Sequence, residues 1–170
     1  MQRQWMSARA LAMGAATAVA LCACAPRPEA ETERGRYLVA IIGCGDCHTP
    51  GGFTPKPDAK RVLAGSDAEF EVPGEGVFTP PNLTPDKATG LGGWTKEQIV
   101  TAITTGVRPD GRILAAPMPW PDFAHLSKSD AMAIAAYLQS LPPVSNKVPG
   151  PSAPRSPAGR TVESVVFPNP

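Results

Sequence analysis

Cys44 and Cys47 stand two residues apart and are followed at once by a histidine, giving Cys44-Gly45-Asp46-Cys47-His48. This spacing constrains the chain more than any other feature, because it is what covalent attachment of a c-type haem requires. The two thiols bond the vinyl-derived positions of the porphyrin, and the adjacent imidazole lies beneath the iron. Three other readings use the same residues. A redox CxxC usually sits at a helix start beside a parallel sheet, and no βαβ pattern follows here. A four-ligand zinc site needs another thiol or imidazole, and His125 is the one to spare once Cys24 is set aside. A chance match is disfavoured by the export signal at the front of the chain, since haem attachment belongs to the compartment beyond the membrane.

That signal is read from residues 1–23. Arg3 and Arg9 precede or enter an apolar run from Ala10 to Ala23 that contains no acidic residue. The run is 14 residues long, whereas a membrane-spanning helix needs about 20. It therefore reads as an export segment. Leu21-Cys22-Ala23-Cys24 resembles the bacterial lipoprotein signal box, in which cleavage before the last cysteine is coupled to its lipidation. Ordinary cleavage is the alternative, and Pro26 directly after Ala25 obstructs it. With Cys24 lipidated, the protein is expected on the periplasmic side of a bacterial envelope membrane, tethered to lipid; otherwise it is periplasmic.

A chain of 170 residues favours one domain. Loss of the signal removes two arginines and leaves 14 cations against 15 anions, so no strongly basic field remains and nucleic-acid binding is disfavoured. The 21 prolines and 16 glycines point to long ordered loops around a small core.

Residues 24–33 are rich in Pro, Arg, Glu and Ala and read as a tether. A helix is predicted over Arg34 to Ile42, followed by a loop over Thr49 to Lys60. Short strands are predicted at Val62-Leu63 and, as a hairpin, at Phe70 to Val72 and Val77-Phe78 around Pro73-Gly74-Glu75-Gly76. Thr95 and Gln98 form a capping box for a second helix that Gly106 stops. A third helix begins at Ser127 and ends before Pro142-Pro143. The domain thus covers 34–143. From Pro142 to Pro170 eight of 29 residues are proline, so 144–170 reads as an extended or disordered tail, or one laid across the surface by Val162, Val165, Val166 and Phe167.

Iron held by one imidazole usually has a sixth ligand. After the signal only Met118 and Met132 supply thioethers. Met132 falls inside the third helix, where packing is its expected role. Met118 lies between Pro117 and Pro119, whose rings stiffen the backbone on both sides. An apolar gap filler is the alternative role for Met118, and His125 is a rival ligand. The choice matters because Met/His coordination raises the reduction potential.

Several stretches taken together carry a family resemblance: Gly35-Arg36-Tyr37-Leu38, Cys44 to Pro50, Pro81-Asn82-Leu83-Thr84-Pro85-Asp86, Thr89-Gly90-Leu91-Gly92-Gly93-Trp94-Thr95, Pro109-Asp110-Gly111-Arg112, Met118-Pro119-Trp120, and the helix ending at Leu141-Pro142. In this order they resemble class I cytochrome c domains, specifically the single-haem modules in cytochrome subunits of bacterial membrane-bound alcohol, aldehyde and gluconate dehydrogenases. Those subunits carry three CxxCH motifs and this chain carries one. The resemblance implies an all-α class I cytochrome c fold with long loops around one covalent haem c. It implies His48 as proximal and Met118 as distal iron ligand. It further implies that the Pro81 carbonyl orients the His48 ring, and that Trp94 donates its indole N–H to a haem propionate or serves as a core aromatic. Gly35 and Tyr37 would meet Tyr137 where the terminal helices cross. Arg108 and Arg112 would offset propionate charge or simply be exposed.

No residue pattern builds a substrate site beside the iron. The expectation is an electron carrier rather than an enzyme, passing single electrons between redox proteins through small contacts. Two alternatives accompany it: a dedicated cytochrome subunit of a membrane-associated dehydrogenase or reductase complex, and a haem-based gas sensor if Met118 dissociates easily.

Overall fold

A computed structural model describes residues 28–155 and 164–166. The signal segment, Cys24 and the first part of the tether lie outside the described residues, as do Val162 and Phe167. In chain order the elements are α1 (Pro28–Ile42), α2 (Cys44–His48), β1 (Glu69–Val72), β2 (Gly76–Phe78), α3 (Lys96–Thr105), α4 (Trp120–Phe123), α5 (Lys128–Ser140) and β3 (Ser164–Val166). The architecture is mostly helical, and among the described residues no helix is long and apolar enough to cross a membrane.

α1 starts at Pro28, so residues 28–33, read as tether, are its first turns. The physical reason is local. Proline suits the first turn, where its missing N–H costs nothing, and Glu29 and Glu31 face the positive end of the helix dipole. α3 begins and ends as its caps dictate. The Thr95 hydroxyl accepts from Gln98 N, the Gln98 side chain accepts from Thr95 N, and Gly106 closes the helix in a left-handed conformation with φ 74°. Ser127 caps α5 by accepting from Asp130 N.

α1, α3 and α5 enclose a core of Leu38, Val39, Leu63, Leu91, Ile99, Ile134, Ala135 and Leu138. The tightest approach is between α1 and α5, where a Cβ added at Gly35 would run into the Ala133 carbonyl and lie 2.8 Å from Tyr137 Cβ. Arg34 Nε donates to Asp130 Oδ1 at 2.8 Å across the same crossing and holds that carboxyl below its usual range. Tyr37 on α1 is 52% exposed, with the Arg34 guanidinium over its ring.

The predicted hairpin forms, with Phe70 opposite Phe78 and Val72 opposite Gly76. It is one part of a three-stranded antiparallel sheet in the order β2-β1-β3, so an all-α description omits a small sheet. The predicted strand at Val62-Leu63 does not form. Leu63 sits in a turn with a left-handed φ of 59° and is 1% exposed. Its amide donates to Thr49 Oγ1 and its carbonyl accepts from Leu83 N, so tertiary bonds and core burial override its β preference.

The tail is extended rather than disordered from Val144 to Arg155, and it is stitched to the domain. Val144 N donates to Thr84 Oγ1, Asn146 Nδ2 donates to the Ala64 carbonyl, and Val77 and Ser152 exchange backbone bonds. The backbone of β3 then pairs with β1, Phe70 lying opposite Val165. The predicted boundary at residue 143 is therefore a change of conformation within one packed unit.

Candidate functional site

α1 ends at Ile42, the chain turns through Gly43, and α2 presents Cys44, Cys47 and His48 on one short turn. All three line a largely apolar cleft of about 340 Å³, within the usual range for a bound organic group. Its walls come from distant parts of the sequence: Ile42 of α1, Ile99 and Ile103 of α3, Leu138 of α5, and Phe70 and Phe78 of the sheet.

His48 is 6% exposed. Its Nδ1–H donates to the Pro81 carbonyl at 2.8 Å. Burial pushes the imidazole toward its neutral form, and the Pro81 carbonyl opposes this in part. The neutral ring is the one that ligates metal, and with Nδ1 engaged, Nε2 is the nitrogen free to do so. The backbone around the ring is tied down as well, His48 O accepting from Gly65 N at 2.8 Å.

Both cysteines are half-buried. Burial pushes the Cys44 thiol up to about 11 and raises Cys47 too, with Asp46 adding to the second effect. A redox dithiol is poised by a lowered thiol pKa, so this pair is tuned the wrong way for thiol–disulfide exchange. The sheet is antiparallel throughout the described residues, again unlike a redox CxxC setting. Among the described residues no cluster of three or more His, Cys, Asp or Glu is arranged to hold a metal ion, which leaves the zinc alternative without a ligand set.

Met118 lines the same cleft as His48; Met132 and His125 do not. Met118 N donates to Ala115 O at 3.0 Å and Trp120 N donates to Met118 O at 2.8 Å, so the thioether projects from a tied turn. The Trp120 ring anchors that turn, lying so close over Gly106 that a Cβ there would fall 2.6 Å from the indole. Gly106 thus serves as the stop of α3 and as the seat of the Met118 loop, a second role that the cap signal alone does not reveal.

Trp94 lines the cleft and also packs against the core cluster. The Arg108 guanidinium lies 5.0 Å from its ring centroid. Arg108 and Arg112 both line the cleft, and desolvation, then Arg108, holds the Arg112 guanidinium below its usual value. Two cations kept close together at the edge of an apolar cleft suit an anionic group on the occupant. Two thiols, a neutral imidazole, a thioether and this cationic edge together fit a haem.

Sequence reasoning missed the stretch Val148 to Pro151, which lines the cleft although it lies beyond the last helix. Its Pro-Gly-Pro character signals extended chain, but nothing local says where that chain is laid.

Residues 32–142 match the cytochrome c family. Over 117 residues the chain is 34% identical to a nicotinate dehydrogenase subunit of Pseudomonas putida, covering 69% of this chain and 9% of that protein. It is also 34% identical to the fructose dehydrogenase cytochrome subunit of Gluconobacter japonicus, over 65% of this chain and 22% of the relative. A diheme cytochrome c-type protein of Cereibacter sphaeroides is 30% identical over 65% of this chain and 36% of its own length. The chain therefore spans between about a tenth and just over a third of these relatives. By its family match, its single CxxCH motif and a cleft lined by that motif, the chain belongs to the cytochrome c family, with one c-type haem attached covalently through Cys44-Gly45-Asp46-Cys47-His48.

Proposed function

We propose that the chain is the electron-transfer module of a membrane-associated dehydrogenase, accepting single electrons from the catalytic partner and passing them to the next redox protein. When bound, the haem supplies a one-electron iron couple. His48, through Nε2, and Met118, through its thioether, would hold the iron. The observation that carries this reading is that His48 and Met118 line one apolar cleft together with Cys44 and Cys47. Pro81 keeps the His48 ring in one orientation, the apolar walls would shield the group from water, and Trp94, Arg108 and Arg112 would receive its propionates. The dehydrogenase partner is supported by what the relatives are: nicotinate and fructose dehydrogenase subunits, and the cytochrome c subunit of a quinone-dependent alcohol dehydrogenase in Gluconobacter oxydans.

A tethered general carrier is the second reading, favoured by Leu21-Cys22-Ala23-Cys24. Lipid on Cys24 would hold the module at the periplasmic face of a membrane and raise its effective concentration near membrane enzymes. Purification at native abundance in mild detergent, followed by mass spectrometry, separates the two. A dehydrogenase recovered in stoichiometric amount is the expected result. A monomer that exchanges electrons equally well with unrelated small redox proteins would overturn the subunit reading in favour of the carrier.

A further inference from the structure

Asn82 follows Pro81 directly, is 1% exposed, and does not line the cleft. Its amide nitrogen donates to Val144 O at 2.7 Å and to Thr89 Oγ1 at 3.0 Å. Its carbonyl oxygen accepts from Thr84 N at 2.9 Å and from Thr84 Oγ1 at 2.8 Å. An asparagine amide has two donor hydrogens and two acceptor lone pairs, so every hydrogen-bonding position of this side chain is used. A buried polar network that is fully satisfied rigidifies what it touches, whereas an apolar residue would fill the same space at less desolvation cost. What this one touches is the peptide whose carbonyl receives the His48 ring.

The peptides on either side are held by backbone bonds, Ser66 N to Pro80 O and Leu83 N to Leu63 O. Between them, the Pro81–Asn82 peptide has its carbonyl on His48 and its side chain clamped from behind. The clamp is long-range. Val144 N returns a bond to Thr84 Oγ1 and Asn146 N donates to Thr89 Oγ1, so the chain beyond α5 grips the same loop from the far side of the sequence.

We infer that Asn82 is a positioning residue for the axial histidine: by bonding Val144 and Thr89 it fixes the Pro81 carbonyl against His48 Nδ1, and so links the segment after α5 to the electronic state of the iron ligand. The inference rests on the reading of His48 as that ligand. A histidine that donates a firm Nδ1–H bond is a more basic ligand and favours the ferric state; loosening the bond weakens that preference.

The test uses haem-loaded full-length protein and follows exchange of the His48 Nδ1 proton by NMR, together with the midpoint potential. Asn82→Ala is expected to speed that exchange tenfold or more and to raise the potential, while haem stays at one per chain and the backbone amides of Ile99 and Ala135 exchange as before. Thr89→Val removes one of the four bonds and is expected to act in the same direction with smaller size. Folded N82A with wild-type exchange and potential would overturn the inference, as would exchange that rises equally at Ile99 and Ala135, which marks general loosening. Should N82A not accumulate, T89V decides, and unchanged His48 exchange in it overturns the inference. Wild-type protein without covalent haem would overturn the functional reading and this inference together; haem-loaded protein with unaltered exchange overturns this inference alone.

Discussion

Met118 reaches the cleft because its backbone is held, not because a helix face aims it. Proline on each side restricts the turn, Ala115 and Trp120 close it with hydrogen bonds, and the Trp120 ring is seated on Gly106. Replacement of Met118 by Ala should remove the near-infrared sulfur-to-iron charge-transfer band of the oxidised protein and lower the potential, with haem still covalently attached through Cys44 and Cys47. Met132→Ala should leave the band in place, since Met132 does not line the cleft; loss of the band in M132A alone would refute the assignment. The residues legible in the sequence share one property, that their chemistry is announced locally. Two thiols and an imidazole within five residues, or a thioether between two prolines, need no tertiary information. Asn82 and the stretch Val148 to Pro151 were not legible in their roles, because those roles come from partners about 60 residues away in one case and from where an extended segment is laid in the other.

At the scale of elements, the crossing of α1 and α5 sets how closely the core can shut beneath the cleft. Gly35 is where the two backbones meet, and a methyl group there has no rotamer by which to avoid the Ala133 carbonyl. Gly35→Ala gains about 1 kcal/mol from helix propensity but forces the helices apart, an overpacking cost of roughly 1–3 kcal/mol that is at its upper end when the obstacle is backbone. The second effect should win by about 2 kcal/mol, read as a fall of roughly 7 °C in the melting temperature of the haem-loaded protein. An unchanged or raised melting temperature would show that the helices do not approach so closely. Elements bounded by their own caps, such as α3 between Thr95 and Gly106, were legible in the sequence to the residue. Leu63 was not, since a left-handed φ in a leucine is set by the bonds to Thr49 and Leu83 and by the core around it. The start of α1 was misplaced for the opposite reason: Pro28, Glu29 and Glu31 are ordinary first-turn residues, but their composition is also that of a linker.

For the molecule as a whole, the consequential finding is that the chain after α5 is part of the haem housing. Covalent attachment should not need that segment, because Cys44, Cys47 and His48 lie on α2 and are positioned by α1 and the Pro81 loop. Stability is a separate matter. A chain ending at Pro143 loses the Val144 bonds to Asn82 and Thr84, the Asn146 bonds to Thr89 and Ala64, and the Val77–Ser152 pair. Each such bond contributes about 1 kcal/mol net, and a buried amide or hydroxyl left without its partner costs about 1–3 kcal/mol. The Asn82 amide is the deciding element, since removal of the tail takes away the Val144 carbonyl that its buried donor meets. The truncated protein should therefore still carry one covalent haem but unfold at a denaturant concentration lowered by the equivalent of about 2–4 kcal/mol. Its cleft, stripped of the Val148 to Pro151 wall, should also admit solvent, which quenching of haem-edge NMR signals by a soluble paramagnetic agent would register. Wild-type stability together with unaltered quenching would mean that the tail merely lies on the surface.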